Sequence, residues 1–216
     1  EMIDLTYGEL LQGTEEGYGK DWKEEIKKKE SIAQKIDAHI YLFSGAKTYQ
    51  QLLTMNELLV DDTGKLRSLS EFRTEVLKVH DTYNLTYLET EYRTTKRSAQ
   101  AARQWQTFVS NSDLFPNLQY RTVGDKRVRD EHEKLDNIIK PINDAFWDTH
   151  YPPNGWNCRC RVQSSDAAVT KATPKISLDK GFANNVGKTG DVFDPEGHPF
   201  FKVPKKTLKK IRDGRK

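Results

Sequence analysis

Asp113-Leu-Phe-Pro-Asn-Leu118-Gln-Tyr-Arg-Thr-Val123 is where the chain changes its period, and with it the fold class. Upstream, Leu85, Leu88, Tyr92, Thr95, Ala99, Ala102 and Val109 recur in three- and four-residue steps, with Trp105 on the same side. That spacing predicts a long amphipathic helix with Asn84 as its N-cap. Glu89, Glu91, Arg93, Lys96, Arg97 and Arg103 occupy the rest of its circumference. Downstream of Pro116, Leu118 to Val123 alternates like a short strand. A short helix over 130–135, an extended run over 138–142 and a second strand over 158–163 follow. The expected fold is α+β: a mainly helical N-terminal region, then a small α+β module with short strands and much loop.

Residues 1–17, with Gly8, Gly13 and Gly17, read as an irregular lead. The helical region is placed at 18–111. Its first helix runs from Lys20 through Trp22, Ile26, Ala33, Ile36, Ile40 and Phe43, with Gly45 as its stop. A second opens at Thr48, where Thr-x-x-Gln51 resembles a capping box, and a turn is expected over 61–64. Ser68-Leu-Ser-Glu71 is another capping box, opening a helix that presents Leu69, Phe72, Val76 and Val79. The α+β module is placed at 118–165. Residues 166–216 form an irregular, Gly- and Pro-punctuated wrap-around segment ending in a basic tail.

Of 216 residues, 35% are hydrophobic and 31% charged, a polar balance that favours a protein with much surface or one that buries part of itself against partners. A net charge of +3 is too small for the whole molecule to act as a polyanion binder. The charge is uneven, because Lys202 to Lys216 carries eight Lys/Arg against one acid. Such a tail is commonly a solvated, mobile end; as a nucleic-acid arm it offers Lys205, Lys206, Lys209, Lys210 and Arg212. No apolar run approaches the roughly 20 residues of a membrane helix, and no signal pattern opens the chain. Two cysteines argue against a disulfide framework and fit synthesis in a reducing cytoplasm.

Those cysteines, Cys158-Arg-Cys160, are the first candidate for chemistry. In a strand both thiols project to one side, with Arg159 and Arg161 on the other. Convergent thiols are half of a tetrahedral zinc site, with His132 as third ligand and Asp125, His150 or His198 as fourth. Reduced, buried cysteines packing as small apolar groups are the commoner outcome, and a disulfide or reactive thiol is the remaining one. Asp125-x-Arg127-x-Arg129 with His132 is the second candidate. It suits bidentate phosphate or carboxylate binding, or an internal ion-pair network that pins a loop-rich module, and the second fits a small irregular domain better. Trp147, Trp156 and Pro152-Pro153 are expected to form an apolar clamp around these ties. Gly187-Lys-Thr189 is not a phosphate loop, because Phe182 stands where the first glycine is required. No paired-carboxylate, Gly-x-Ser-x-Gly or dinucleotide-binding pattern is present.

Asp125-x-Arg-Val-Arg129-x-x-His132-x-x-Leu135-Asp136, then Phe146-Trp147, then Pro152-Pro-x-Gly-Trp-Asn-Cys158-Arg-Cys160-x-Val162 resembles the phage Mu protein F-like family. The helices before it, including Tyr87-Leu-Glu-Thr-Glu-Tyr-Arg93 and Ala101-Ala-Arg-Gln-Trp105, resemble the lead-in to the same domain. The resemblance makes Asp125, Arg127, Arg129, His132, Trp147, Pro153, Trp156, Cys158 and Cys160 a structural signature. It implies a minor capsid or head morphogenesis protein of tailed phages or prophages, and no enzyme. Such a protein is made in the bacterial host cytoplasm and lies in the virion, at the capsid interior. Its partners would be the portal and, through the basic tail, packaged DNA, with no membrane. Some family members read Cys-x-x-Cys where Arg129 and His132 stand, and His at the position of Gly155. His132, Cys158 and Cys160 therefore remain as zinc-type ligands, and zinc is the only cofactor implied. The rival readings are a toxin-type effector enzyme, nuclease or ADP-ribosyltransferase-like, and a zinc-dependent nucleic-acid-binding module.

Overall fold

The structure is a computed structural model that describes residues 2–215; Glu1 and Lys216, the last residue of the basic tail, lie outside the described residues. It is α+β, as the change of period predicts. The first departure is at the N-terminus, where the expected irregular lead is helix α1, Met2–Tyr18. Thr6, Leu10, Gly13, Thr14 and Tyr18 form its buried side. Glycine in a helix costs about 0.5–1 kcal/mol of conformational entropy, but here it permits close approach. A Cβ at Gly13 would lie 3.0 Å from the Tyr92 carbonyl oxygen, and one at Gly17 would overlap the Lys96 carbonyl. Residues that look like breakers are the contact surface for a neighbouring helix.

The helix expected from Lys20 to Gly45 is two. A single turn, α2 (Trp22–Glu25), is followed by a bend with Glu30 at φ 58°. Ser31 then caps α3, Ile32–Glu57, its Oγ accepting from Gln34 N at 3.2 Å. α3 runs through both Gly45, the expected stop, and Thr48, the expected second cap. Gly45 is there for room, because a Cβ would collide with the Ile211 side chain. Phe43, Ser44, Gly45, Ala46, Lys47 and Thr48 are all buried, so this stretch is enclosed on every side and carries no single apolar stripe.

The Ser68–Glu71 capping box forms as predicted and opens α4, Leu69–Asp81, which buries none of its residues fully. Asn84 does not cap a new helix. It sits in a π-helical turn, Thr82–Tyr87, that joins α4 without a break to α5, Leu88–Ser110. The buried face of α5 is Glu91, Thr94, Thr95, Ser98, Ala99, Ala102, Trp105 and Phe108. Leu85 and Val109, placed on the inner stripe by spacing, are 65% and 49% exposed. The stripe is offset because Glu91 is drawn inward to Lys47 of α3, at 2.6 Å.

The module is a three-stranded antiparallel sheet of order β2-β1-β3, formed by β1 (Asn117–Arg121), β2 (Ile139–Pro141) and β3 (Arg161–Ser165). Leu118, Tyr120 and Val162 pack from it onto Trp105, Phe108, Leu135, Trp147 and Tyr151. Two short helices, α6 (Asp130–Glu133) and α7 (Phe146–His150), lie in the connections. β3 begins at Arg161, three residues later than the strand expected over 158–163, so Cys158-Arg159-Cys160 belongs to a loop.

The C-terminal segment crosses back over the helices. Phe182, Val186, Val192, Phe193, Phe201 and Val203 share one core with Leu10, Ile36, Ile40 and Phe43. α8 (Val186–Thr189) brings Gly187 against the Trp105 ring, where no Cβ fits. The basic tail, read as a solvated end, is helix α9, Lys205–Asp213, which seats Ile211 on Gly45. Arg215 beyond it pairs with Asp37. Lys205, Lys206, Lys209, Lys210 and Arg212 stay exposed on α9. Among the described residues no helix is long and apolar enough to cross a membrane.

Candidate functional site

Two loops meet beside α5: residues 124–129, which lead into α6, and 155–160, which lead into β3. Gly124 turns the first loop at φ 70°. Asp125 then accepts from its own loop at Arg127 N (3.0 Å) and from both terminal nitrogens of Arg159 (2.6 Å each). This fork ties the loops together, and the Arg159 hydrogen bonds pull the Asp125 carboxyl down to about 2. Arg129 crosses the same gap and donates to the Trp156 carbonyl at 2.6 Å. Its guanidinium passes 3.4 Å from where a Cβ of Gly155 would stand. Arg97, from α5, holds the second loop from the other side by donating to the Cys158 carbonyl at 2.8 Å.

Inside these ties His132 and both cysteines converge. His132 Nδ1 lies 3.7 Å from Cys158 Sγ and 3.6 Å from Cys160 Sγ, and the three ligand atoms fall within 4.8 Å of one another. Cys158 and His132 are buried and Cys160 is half-buried. The hydrogen bond from Cys160, then that with His132, lowers the Cys158 thiol well below the ordinary thiol range against its burial. Cys160 is pushed up by giving that hydrogen bond and by burial.

The donor set fits a zinc ion. Zn–S of about 2.3 Å and Zn–N of about 2.0 Å at tetrahedral angles require sulfur–nitrogen separations of about 3.6 Å, which are the separations found. A cavity of about 20 Å³ beside the triad, lined by Arg129, His132, Asn157, Cys158 and Cys160 among others, is the size of one water. The expected fourth ligands do not join. Asp125 is taken by Arg159, and His150 stacks on Phe146 with ring centres 4.4 Å apart. His198 packs among Phe43, Phe193 and Trp156 in the other core.

The expected apolar clamp is also divided. Trp147 is enclosed in the module's core, its Nε1 donating to the Pro141 carbonyl at 3.0 Å. Trp156 turns the other way, onto Phe182 and Phe193. Pro152 and Pro153, joined by a cis bond, are buried at the turn between them. Arg127 is the outlier of the signature: its side chain is 80% exposed and reaches Asp125 only at 3.7 Å. The tail residues Lys205, Lys206, Lys209, Lys210 and Arg212 are carried by α9 and line no part of this site. Arg97 was not singled out by spacing, which placed it on the outer circumference of α5. The Tyr120 hydroxyl, donating to Asn154 at 2.9 Å beneath the cysteine loop, was equally unmarked.

A family model described as "Phage Mu protein F like protein" matches residues 9–163. The chain belongs to the phage Mu protein F-like family. Over 98 residues it is 46% identical to a protein of Escherichia phage Mu named "Putative capsid assembly protein F", an alignment that covers 45% of this chain and 22% of that protein. Over 95 residues it is 40% identical to the Mu-like prophage FluMu F protein of Haemophilus influenzae, covering 44% of this chain and 23% of that one. The chain thus matches less than a quarter of the length of either relative. No solved structure matches it. In this Mu F-like chain the matched residues take in α5, β1, β2, the first three residues of β3 and every residue of the arginine and cysteine loops. The part of the helical core from Phe182 to Val203 lies outside the match.

Proposed function

We propose that this Mu F-like chain serves phage head morphogenesis as a minor capsid component. It joins the portal during assembly and stays at the capsid interior, where it meets packaged DNA. The observation that carries this reading is the family match over residues 9–163, with a relative named for capsid assembly. The site's geometry supports a structural role. His132 faces two sulfurs, Arg129 and Arg159 tie the two loops together, and Arg127 stands in solvent. His132, Cys158 and Cys160 would hold one zinc ion, which when bound cross-links α6 to the cysteine loop and stabilises the module.

Affinity-tagged protein recovered from infected or induced cells is expected to bring down portal protein or proheads; recovery of neither overturns the assembly reading. Toxicity on expression, relieved by Arg127→Ala or His132→Ala, would replace it with an effector enzyme. For the metal, protein purified without chelator should carry about one equivalent of zinc, and Cys160→Ser should lose it. Less than about half an equivalent in the unaltered protein removes zinc from the reading.

A further inference from the structure

Between α5 and the two arginine loops runs an open groove of about 930 Å³, lined by Arg93, Lys96, Arg97, Arg127, Arg129 and Arg159 with only Gln100 and Asn157 besides. We propose that this groove, and not the basic tail, is the surface on which the protein holds a duplex DNA backbone. No acid and no aromatic ring lines it. Some of the charge is answered from behind: Glu89 pairs with Arg93, Glu16 with Lys96 and Asp125 with Arg159. Arg97 and Arg129 have no carboxylate partner among the described residues. Each is held by one backbone carbonyl, which fixes the guanidinium and spends one nitrogen, leaving the other donors to face the groove. Arg127 adds a mostly solvated guanidinium at the opposite rim.

Planar guanidiniums held in place are suited to phosphate oxygens, which they meet in pairs of hydrogen bonds. A protein partner needs buried aromatic or aliphatic anchors, and the groove offers no seat for them. A single-strand site needs rings on which bases stack, and there are none. What remains is the sequence-independent chemistry of a duplex backbone. Past Gln100 the groove opens into a second hollow lined also by Tyr18, Phe108 and Tyr151, so the backbone-binding surface is the arginine groove itself. Arg93, Arg97, Arg127 and Arg129 offer one phosphate contact each. Duplex binding and portal co-purification are read separately, so either can fail while the other stands.

Fluorescence anisotropy of the full chain with a labelled random-sequence 20-base-pair duplex tests the assignment. Micromolar affinity is expected at low salt, falling with a log–log slope of about −4 for four phosphate contacts. Arg93→Glu with Arg127→Glu changes two exposed rim residues; it should weaken binding at least tenfold and reduce the slope by about 2. An unchanged circular dichroism melt shows that the variant folds. Arg97→Gln alone should reduce the slope by about 1. Alanine at Lys205, Lys206, Lys209 and Lys210 together should change the slope by less than either. The proposal is overturned if the unaltered chain does not bind the duplex at low salt, or if the tail variant loses binding while the rim variant keeps it. It is equally overturned if poly-glutamate binds this groove more tightly than the duplex, which would make the ligand an acidic protein segment.

Discussion

Glu91→Ala is expected to destabilise the protein by about 3–5 kcal/mol, enough to lower its melting temperature on the order of 10 °C for a chain of this size. Lys47 and Glu91 meet at 2.6 Å with their side chains 1% and 2% exposed. Burial pushes the Lys47 amine down and the Glu91 carboxyl up, while each partner's charge works in the opposite direction. Removing the carboxylate strands an ammonium group among α3 and α5. The double replacement Lys47→Met/Glu91→Leu should recover most of the loss, because desolvating two charges offsets much of what their attraction contributes. Guanidinium unfolding of the single and double variants measures both. A loss below about 1 kcal/mol in the single variant would mean the pair is not buried as described.

Acid is expected to unfold the helical core through two histidines. Burial holds His39 down to about 3 and His198 down to about 4; His39 packs on Phe201, and His198 on Phe43 and Phe201. Their ring nitrogens accept backbone N–H groups, His39 from Val192 and His198 from Phe200, each at 3.2 Å. In the unfolded chain both take up protons near pH 6.5. The folded state refuses those protons until about pH 4 and 3, so the unfolded state binds more of them in between and stability falls as pH is lowered. The contribution is complete above pH 6.5 and is lost at about 1.4 kcal/mol per pH unit for each ring. Asp191, whose carboxyl is pushed up to about 6 by burial, takes up a proton in the folded state and offsets one of the two below that pH. A net loss of about 3–5 kcal/mol between pH 6.5 and 4 follows. Unfolding midpoints at pH 7.5, 6 and 5 should decline accordingly, and His198→Asn, which keeps a capping acceptor, should flatten the decline. Midpoints that do not move over this range would show both rings to be solvated.

Local signals were legible and long-range ones were not. The Ser68–Glu71 box and the strand at Leu118 to Val123 depend only on neighbours in sequence, and both are where spacing puts them. The convergence of His132, Cys158 and Cys160 was also legible, although a loop brings the thiols together and not a strand. Gly13, Gly17 and Gly45 misled because a glycine that makes room for another helix looks, in one dimension, like a glycine that ends one. Glu91 misled for the same reason, since a buried acid is recognisable only when its lysine, 44 positions away, is seen beside it. Arg97 carried no mark because facing solvent and facing a groove leave the same pattern.

The returning C-terminal segment sets an order on how this protein can be made. Ile36, Ile40 and Phe43 are synthesised early, yet Phe182, Phe193 and Phe201, which close over them, come some 150 residues later. At about 5–20 residues per second the first half waits on the order of 10–30 s before its lid exists. During that interval an apolar surface stands open on a nascent chain, so a chaperone, a neighbouring ribosome's product or an assembly partner has the first chance to occupy it.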